Sequence, residues 1–185
     1  MAKYLFDTCS LIVLVRYYIP FDSQGKLSDF IYKGFESKEL IMLEKVKNEC
    51  KQVSKGLVFQ ILPQLQNIKS INFNEVITDK VHRLIDNNFI VSKSQKDRLE
   101  SEEYESHKNS FINSADFNLI YYAIKNGYTI ITEETATSND NKLFKKTPLI
   151  CEIQRIKCIS ISQLLQTRLE INFTIKSTME NIGSL

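Results

Sequence analysis

The 185-residue sequence predicts a three-layer α/β/α sandwich around a central parallel sheet of about four to five strands. Three observations predict it. The runs Lys3 to Phe6, Leu40 to Leu43 and Tyr128 to Thr132 are short and nearly continuous in apolar character, as strands buried on both faces are. Segments with apolar residues at helical spacing separate them, which parallel strands need for their crossovers. Finally, 43% hydrophobic and 25% charged residues suit a packed core, while only 5 glycines and 3 prolines favour helices over tight turns.

Taken in order, Lys3 to Phe6 reads as a central strand that stops at Asp7. Thr8 to Ser10 offer N-caps for a helix from about Leu11 to Tyr18, which Pro20 ends. Ser23-Gln24-Gly25 is a loop, and Phe30, Ile31 and Phe35 mark a helix over Ser28 to Ser37. Leu40 to Leu43 is the second strand. Glu44 then opens one long helix carrying Val46, Cys50, Val53, Leu57 and Val58. The middle of the chain, residues 63–110, shows no strand signal. Phe73 to Asn87 places Val76, Ile77, Val81, Leu84 and Ile85 on one helical face, and Ser92 to His107 is mostly polar, its acidic run Glu100, Glu102, Glu103 and Glu105 reading as a solvated helix face. Ser114 caps a helix that Gly127 closes. Tyr128 to Thr132 is the third strand, Leu149 to Ile156 a short helix, Lys157 to Ile161 a fourth strand, and Ser162 to Gln166 a last helix. The expected organisation is one domain over residues 1–166, with 63–110 a helical elaboration inside it and 167–185 unassigned.

Composition excludes some classes. The four cysteines, Cys9, Cys50, Cys151 and Cys158, form no C-x-x-C pair and have only two histidines beside them, so a zinc site is not expected. They read as small buried hydrophobes. Asp7 interrupts the first apolar run too early for a signal peptide, and the stretch Leu11 to Tyr18 is too short for a membrane span, so a cytoplasmic protein is expected. A net charge of +2 does not advertise a nucleic-acid partner; that case has to come from a site.

Such a site is readable in the acidic residues. The first strand delivers Asp7, and the third delivers Glu133 and Glu134. Asp116 opens the helix before the third strand, and Glu49 lies about a turn and a half into the helix after the second. In open parallel sheets the working site lies at the carboxyl ends of the strands. Carboxylates gathered there repel one another unless a cation joins them, and an all-oxygen donor set suits Mg²⁺ or Mn²⁺. Asp7 is the hardest of them to explain otherwise, because a charge directly after a buried strand is costly unless it is paired.

These residues also carry a resemblance. Tyr4-Leu5-Phe6-Asp7-Thr8-Cys9-Ser10-Leu11-Ile12 resembles the opening of PIN-domain proteins, and Ser114-Ala115-Asp116-Phe117-Asn118-Leu119-Ile120-Tyr121-Tyr122-Ala123 is similar to their second hallmark. Thr129 to Glu134 resembles their strand followed by Thr-x-Asp, with Glu134 where Asp is usual, and Glu49 falls where they carry a helical Glu. The later stretch from Lys145 to Ile159 looks like an uncharacterised PIN-like branch of prokaryotic proteins.

The resemblance implies a metal-dependent endonuclease acting on RNA, often the toxin of a toxin–antitoxin pair, held by an antitoxin protein and frequently a homodimer. On that reading Asp7, Asp116 and Glu134 hold Mg²⁺ or Mn²⁺, Glu49 completes the acidic pocket, and Thr8, Ser10, Thr132 and Glu133 support the carboxylates. Lys142, Lys145 and Lys146 follow closely enough to contact phosphates. Two rival readings are a PIN-like module that binds RNA or protein without cutting, and a structure-specific DNA nuclease. The second lacks an evident basic helical arch.

Overall fold

The structure, a computed structural model, describes residues 2–75, 77–137 and 142–167. Its sheet has four parallel strands, β1 (Tyr4–Phe6), β2 (Leu40–Ile41), β3 (Thr129–Ile131) and β4 (Cys158–Ile159), in the order β2-β1-β3-β4. Helices cover both faces, giving the three-layer α/β/α sandwich. Leu5 and Phe6 are both fully buried although they point to opposite faces, which is why β1 reads as an unbroken apolar run. The chain leaves β1 for β2 on one side and later returns to β3 on the other. The winding reverses between β1 and β3, and in such sheets the crevice outside that switch point is where ligands bind.

Ten helices are labelled here in chain order: α1 (Thr8–Val13), α2 (Lys26–Glu36), α3 (Glu44–Gln52), α4 (Leu57–Ile61), α5 (Asp79–Leu84), α6 (Lys93–Lys96), α7 (Ser101–Ile112), α8 (Ala115–Asn126), α9 (Thr147–Gln154) and α10 (Ile161–Gln166). A π-helical turn, Leu14–Tyr18, continues α1, and a second, Ile85–Phe89, continues α5. One core runs through the molecule from Leu5 to Leu164. Among the described residues no helix is long and apolar enough to cross a membrane.

Several expected elements are corrected. The long helix from Glu44 is two helices, because Ser54 and Lys55 turn left-handed at φ 52° and 57° before α4 starts. The helix expected from Phe73 begins only at Asp79. Upstream, the Phe73 ring packs on Tyr122 at 5.0 Å, and Ile71 pairs with Leu43 beside the end of β2, so that stretch is extended. Val76 lies outside the described residues. Within the polar stretch from Ser92, α6 is a single turn, and α7 carries the acidic run and continues to Ile112. Glu100, Glu102, Glu103 and Glu105 are exposed, as the sequence implies, while the opposite side of α7 packs inward. Tyr104, Lys108 and Ile112 recur every four residues and are buried, and the Lys108 ammonium reaches Glu105 at 2.6 Å and Asp86 at 3.4 Å. The fourth strand stops at Ile159, because Ser160 caps α10 in a reciprocal capping box with Gln163. The Ser114 cap and the left-handed Gly127 stand as the sequence implies.

The elaboration is stitched to the sheet rather than appended to it. Ile90 and Phe144 form an antiparallel bridge, with Val91 N–H donating to the Leu143 carbonyl at 2.9 Å and Lys145 N–H to that of Phe89 at 2.8 Å. This brings α6 and α7 against the loop that follows β3.

Candidate active site

Asp7 follows β1 directly and serves as the N-cap of α1, its Oδ1 accepting from the Thr8 N–H at 2.6 Å. Its Oδ2 accepts from the Thr132 hydroxyl and the Cys9 thiol, both at 2.8 Å. The residue is only 5% exposed. Burial pushes the carboxyl above its ordinary range, the Glu134 charge adds to that push, and the donors from Cys9, Thr132 and Thr8 oppose it. Three donors from two strand ends thus hold one buried carboxylate at the switch point.

The other members come from three further elements. Glu49, half-buried on α3, accepts the Thr8 hydroxyl proton at Oε2. Glu134, past the end of β3, accepts the Thr147 N–H at the start of α9 at 3.1 Å, while its own N–H donates to Thr132 Oγ1 at 3.2 Å. Asp116 sits in the first turn of α8, exposed in the cleft. Crowding by protein atoms, then the charges of Asp7, Glu134 and Glu49, push its carboxyl up to about 7, against a partial pull from Lys142. Solvent reaching this exposed side chain screens part of that repulsion. The four carboxylates are therefore electrostatic neighbours, as the sequence implied.

They are neighbours without forming a closed ligand set. Among the described residues, no three Asp, Glu, His or Cys side chains are gathered tightly enough to grip a metal ion. The reason is local: Glu49 leans on Thr8, Glu134 on the N-terminus of α9, and Asp7 on three donors, an arrangement that spreads like charges apart.

The supporting residues divide. Thr8 and Thr132 bond carboxylates as expected. Ser10 does not; its hydroxyl donates to the Ile131 carbonyl at 2.9 Å and ties α1 to β3. Glu133 faces away from the cleft, accepting the Ile161 N–H at 2.7 Å in the first turn of α10. Lys145 is also reassigned. Its ammonium donates to the carbonyls of Asn88 and Ile90, so two of its three protons fasten the elaboration. Lys142, Lys145 and Lys146 all line the cleft, and Lys142 and Lys146 are the two whose ammonium groups are not given to these carbonyls.

Two contributions were missed from the sequence. Cys9 is not a mere hydrophobe: its thiol donates to Asp7 and accepts from the Glu133 N–H at 3.4 Å, and burial with the Asp7 charge pushes its pKa up to about 12. Its place two residues after Asp7 was a readable signal. Arg98 and His107, from the elaboration, also line the cleft. No local pattern marks them. Cys50 and Cys151 are buried, as expected. A test of the Cys9 bond follows: Cys9→Ala should lower stability by about 0.5–1.5 kcal/mol in urea unfolding, with Cys9→Ser recovering most of it. Equal midpoints for all three proteins would show that the thiol contributes nothing.

Comparison with known proteins adds the following. A family model described as a domain of unknown function (DUF4411) matches residues 4–173. No curated protein matches the chain. Among solved structures, the crystal structure of PAE2754 from Pyrobaculum aerophilum is similar at 14% identity, over 90% of this chain and 88% of that one, with a TM-score of 0.44.

Proposed function

We propose that this chain, which belongs to the DUF4411 family, is a Mg²⁺- or Mn²⁺-dependent endoribonuclease. The observation that carries the reading is the shared electrostatics of Asp7, Glu49, Asp116 and Glu134 at the switch point, where crowding by protein atoms and then the charges of the other three raise Asp116 to about 7. A structural ion-pair network would place cations between such groups. Here the carboxylates have one another, with Lys142 as the nearby positive charge, and hard oxygen donors of this kind suit a hard divalent cation. The likeness of the same residues to PIN-domain motifs points the same way.

Asp7, Asp116 and Glu134 would hold the cation, with Glu49 beside them. When bound, it supplies positive charge to the scissile phosphate and to the attacking water. The chain's own residues do the rest. Thr132 and the Thr8 N–H orient Asp7 and favour its charged form against the push of burial, Thr8 aims Glu49, and the Thr147 N–H positions Glu134. Water oxygen bonds to phosphorus as the bond to the 3′-oxygen breaks, and that oxygen takes a proton, leaving a 5′-phosphate and a 3′-hydroxyl. The test is RNA cleavage by pure protein with Mn²⁺ and with EDTA. Cleavage that persists in EDTA overturns the reading.

Lys142 and Lys146 are the phosphate contacts. The double substitution Lys142→Ala and Lys146→Ala should weaken RNA binding at every sequence and reduce the salt slope by about 1–2. Lys145→Met should leave that slope alone and lower stability instead. The reverse pattern would reinstate Lys145 as a phosphate ligand.

A second reading, an RNA- or protein-binding module that does not cut, is favoured by one observation: both Asp7 oxygens already accept bonds from protein donors. Titration with Mn²⁺ separates the two, because a dead site binds the ion weakly. The toxin–antitoxin setting and a homodimer rest on the PIN resemblance, and a cytoplasmic location on the early interruption of the first apolar run at Asp7 and the shortness of Leu11 to Tyr18. An adjacent reading frame whose product blocks cleavage is the expected partner.

A further inference from the structure

The cleft beside the carboxylates has a volume of about 560 Å³, and Asp116 and Glu134 line it together with Leu99, Phe111, Leu143 and Phe144. The rings of Phe111 and Phe144 stack, with centroids 4.4 Å apart and planes 12° from parallel. One ring belongs to α7 and the other to the loop after β3, so the apolar wall exists only because the elaboration is stitched to that loop. Arg98 and His107 also line this cleft. An apolar wall with a few charged groups, continuous with a set of carboxylates, is more than metal binding needs.

We propose that this recess receives one unstacked base of a single-stranded RNA whose neighbouring phosphate lies at the carboxylates, and that it sets the base preference beside the cut. The placement of the cut rests on the nuclease reading; the capture of the base does not. The volume lies within the roughly 300–1,000 Å³ of clefts that hold small ligands. A base presents flat faces to apolar walls and hydrogen-bonding edges to polar ones, and the Arg98 guanidinium suits either its face or a purine edge. Lys142 and Lys146 line the same cleft and supply positive charge for the flanking phosphates. A duplex keeps its bases stacked and offers one only after unpairing. A purely apolar occupant would leave these cations unmatched.

The experiment measures binding of short single-stranded RNAs to the full chain in EDTA, with an abasic nucleotide at each position in turn. Loss of one particular base should weaken binding about tenfold or more, in line with stacking on a protein surface. Ser110 is exposed on α7 and lines the cleft, so Ser110→Trp should fill the recess and erase that sensitivity. Arg98→Ala should reduce it, which keeps the test decisive if the tryptophan variant does not fold. Equal affinity for every abasic RNA, or unchanged sensitivity in both variants, overturns the pocket. With Mn²⁺ present, cutting without base preference sinks the pocket and keeps the nuclease. Base-dependent binding with no cutting keeps the pocket and sinks the nuclease.

Discussion

Replacing Asp116 by asparagine is expected to stop RNA cleavage while making the metal-free protein more stable. Loss of a partner that merely orients a metal ligand costs about 10–100-fold, so loss of a ligand carboxylate should exceed 100-fold. The gain in stability has an electrostatic origin. The folded chain keeps the Asp116 proton up to about pH 7, whereas an unfolded aspartate releases it near the ordinary value of 3.8. Below about pH 3.8 both states carry the proton, and nothing is lost. As pH rises from there to about 7, the unfolded chain alone sheds its proton, so stability falls across that window and is flat above it. Asp116→Asn has no such proton to lose. Its Tm advantage should therefore be nil near pH 4, grow through pH 7 and then level off. Solvent screening at this exposed residue holds the full effect to about 1 kcal/mol, or roughly 2–4 °C for a chain of this size. Mn²⁺ should reverse the order, stabilising the wild type by about 2.7 kcal/mol at a hundredfold excess over Kd and the variant far less. Thermal melts at several pH values, with and without Mn²⁺, check all three statements. A variant that melts lower than wild type at pH 8 without metal would show that the four carboxylates do not burden one another.

Gly34→Ala should cost about 1–3 kcal/mol, although the change favours helix formation in isolation, because Gly34 is buried. Gly34 faces Leu40 across the α2–β2 contact, and an added Cβ would lie 2.6 Å from both Cγ and Cδ1 of that side chain. Leu40 is 1% exposed, so either α2 lifts off β2 or the leucine leaves its rotamer inside the core. Because β2 pairs with β1 through Tyr4–Leu40 and Leu5–Ile41, displacement there is transmitted toward the strand that presents Asp7. Urea unfolding of Gly34→Ala, Leu40→Ala and the double variant forms a cycle. The double variant should be less destabilised than the sum of the singles, since the smaller side chain at 40 makes room for the methyl group. Strict additivity would place the cost of Gly34→Ala somewhere other than the Leu40 contact.

Local pattern alone determined much of this protein. The continuous apolar runs marked β1, β2 and β3, the Ser114 cap and Gly127 bounded α8, and the placement of Asp7, Glu49, Asp116 and Glu134 on these elements followed from strand ends and first turns. Such features depend on residues a few positions apart, so a sequence displays them directly. What only the tertiary structure decided depends on groups brought together from distant parts of the chain. Thr132 finds Asp7 across 125 positions, and Ser10 spends its hydroxyl on Ile131 across 121. The Lys145 ammonium donates to the carbonyls of Asn88 and Ile90, and Glu133 turns to the N-terminus of α10. The wall that carries Arg98, His107 and Phe111 is held beside the carboxylates by the Ile90–Phe144 bridge with its flanking backbone bonds and by the direct passage of α7 into α8. A side chain's partner is set by which donors and acceptors the packing leaves within about 3 Å, and that distance is invisible until the layers have closed.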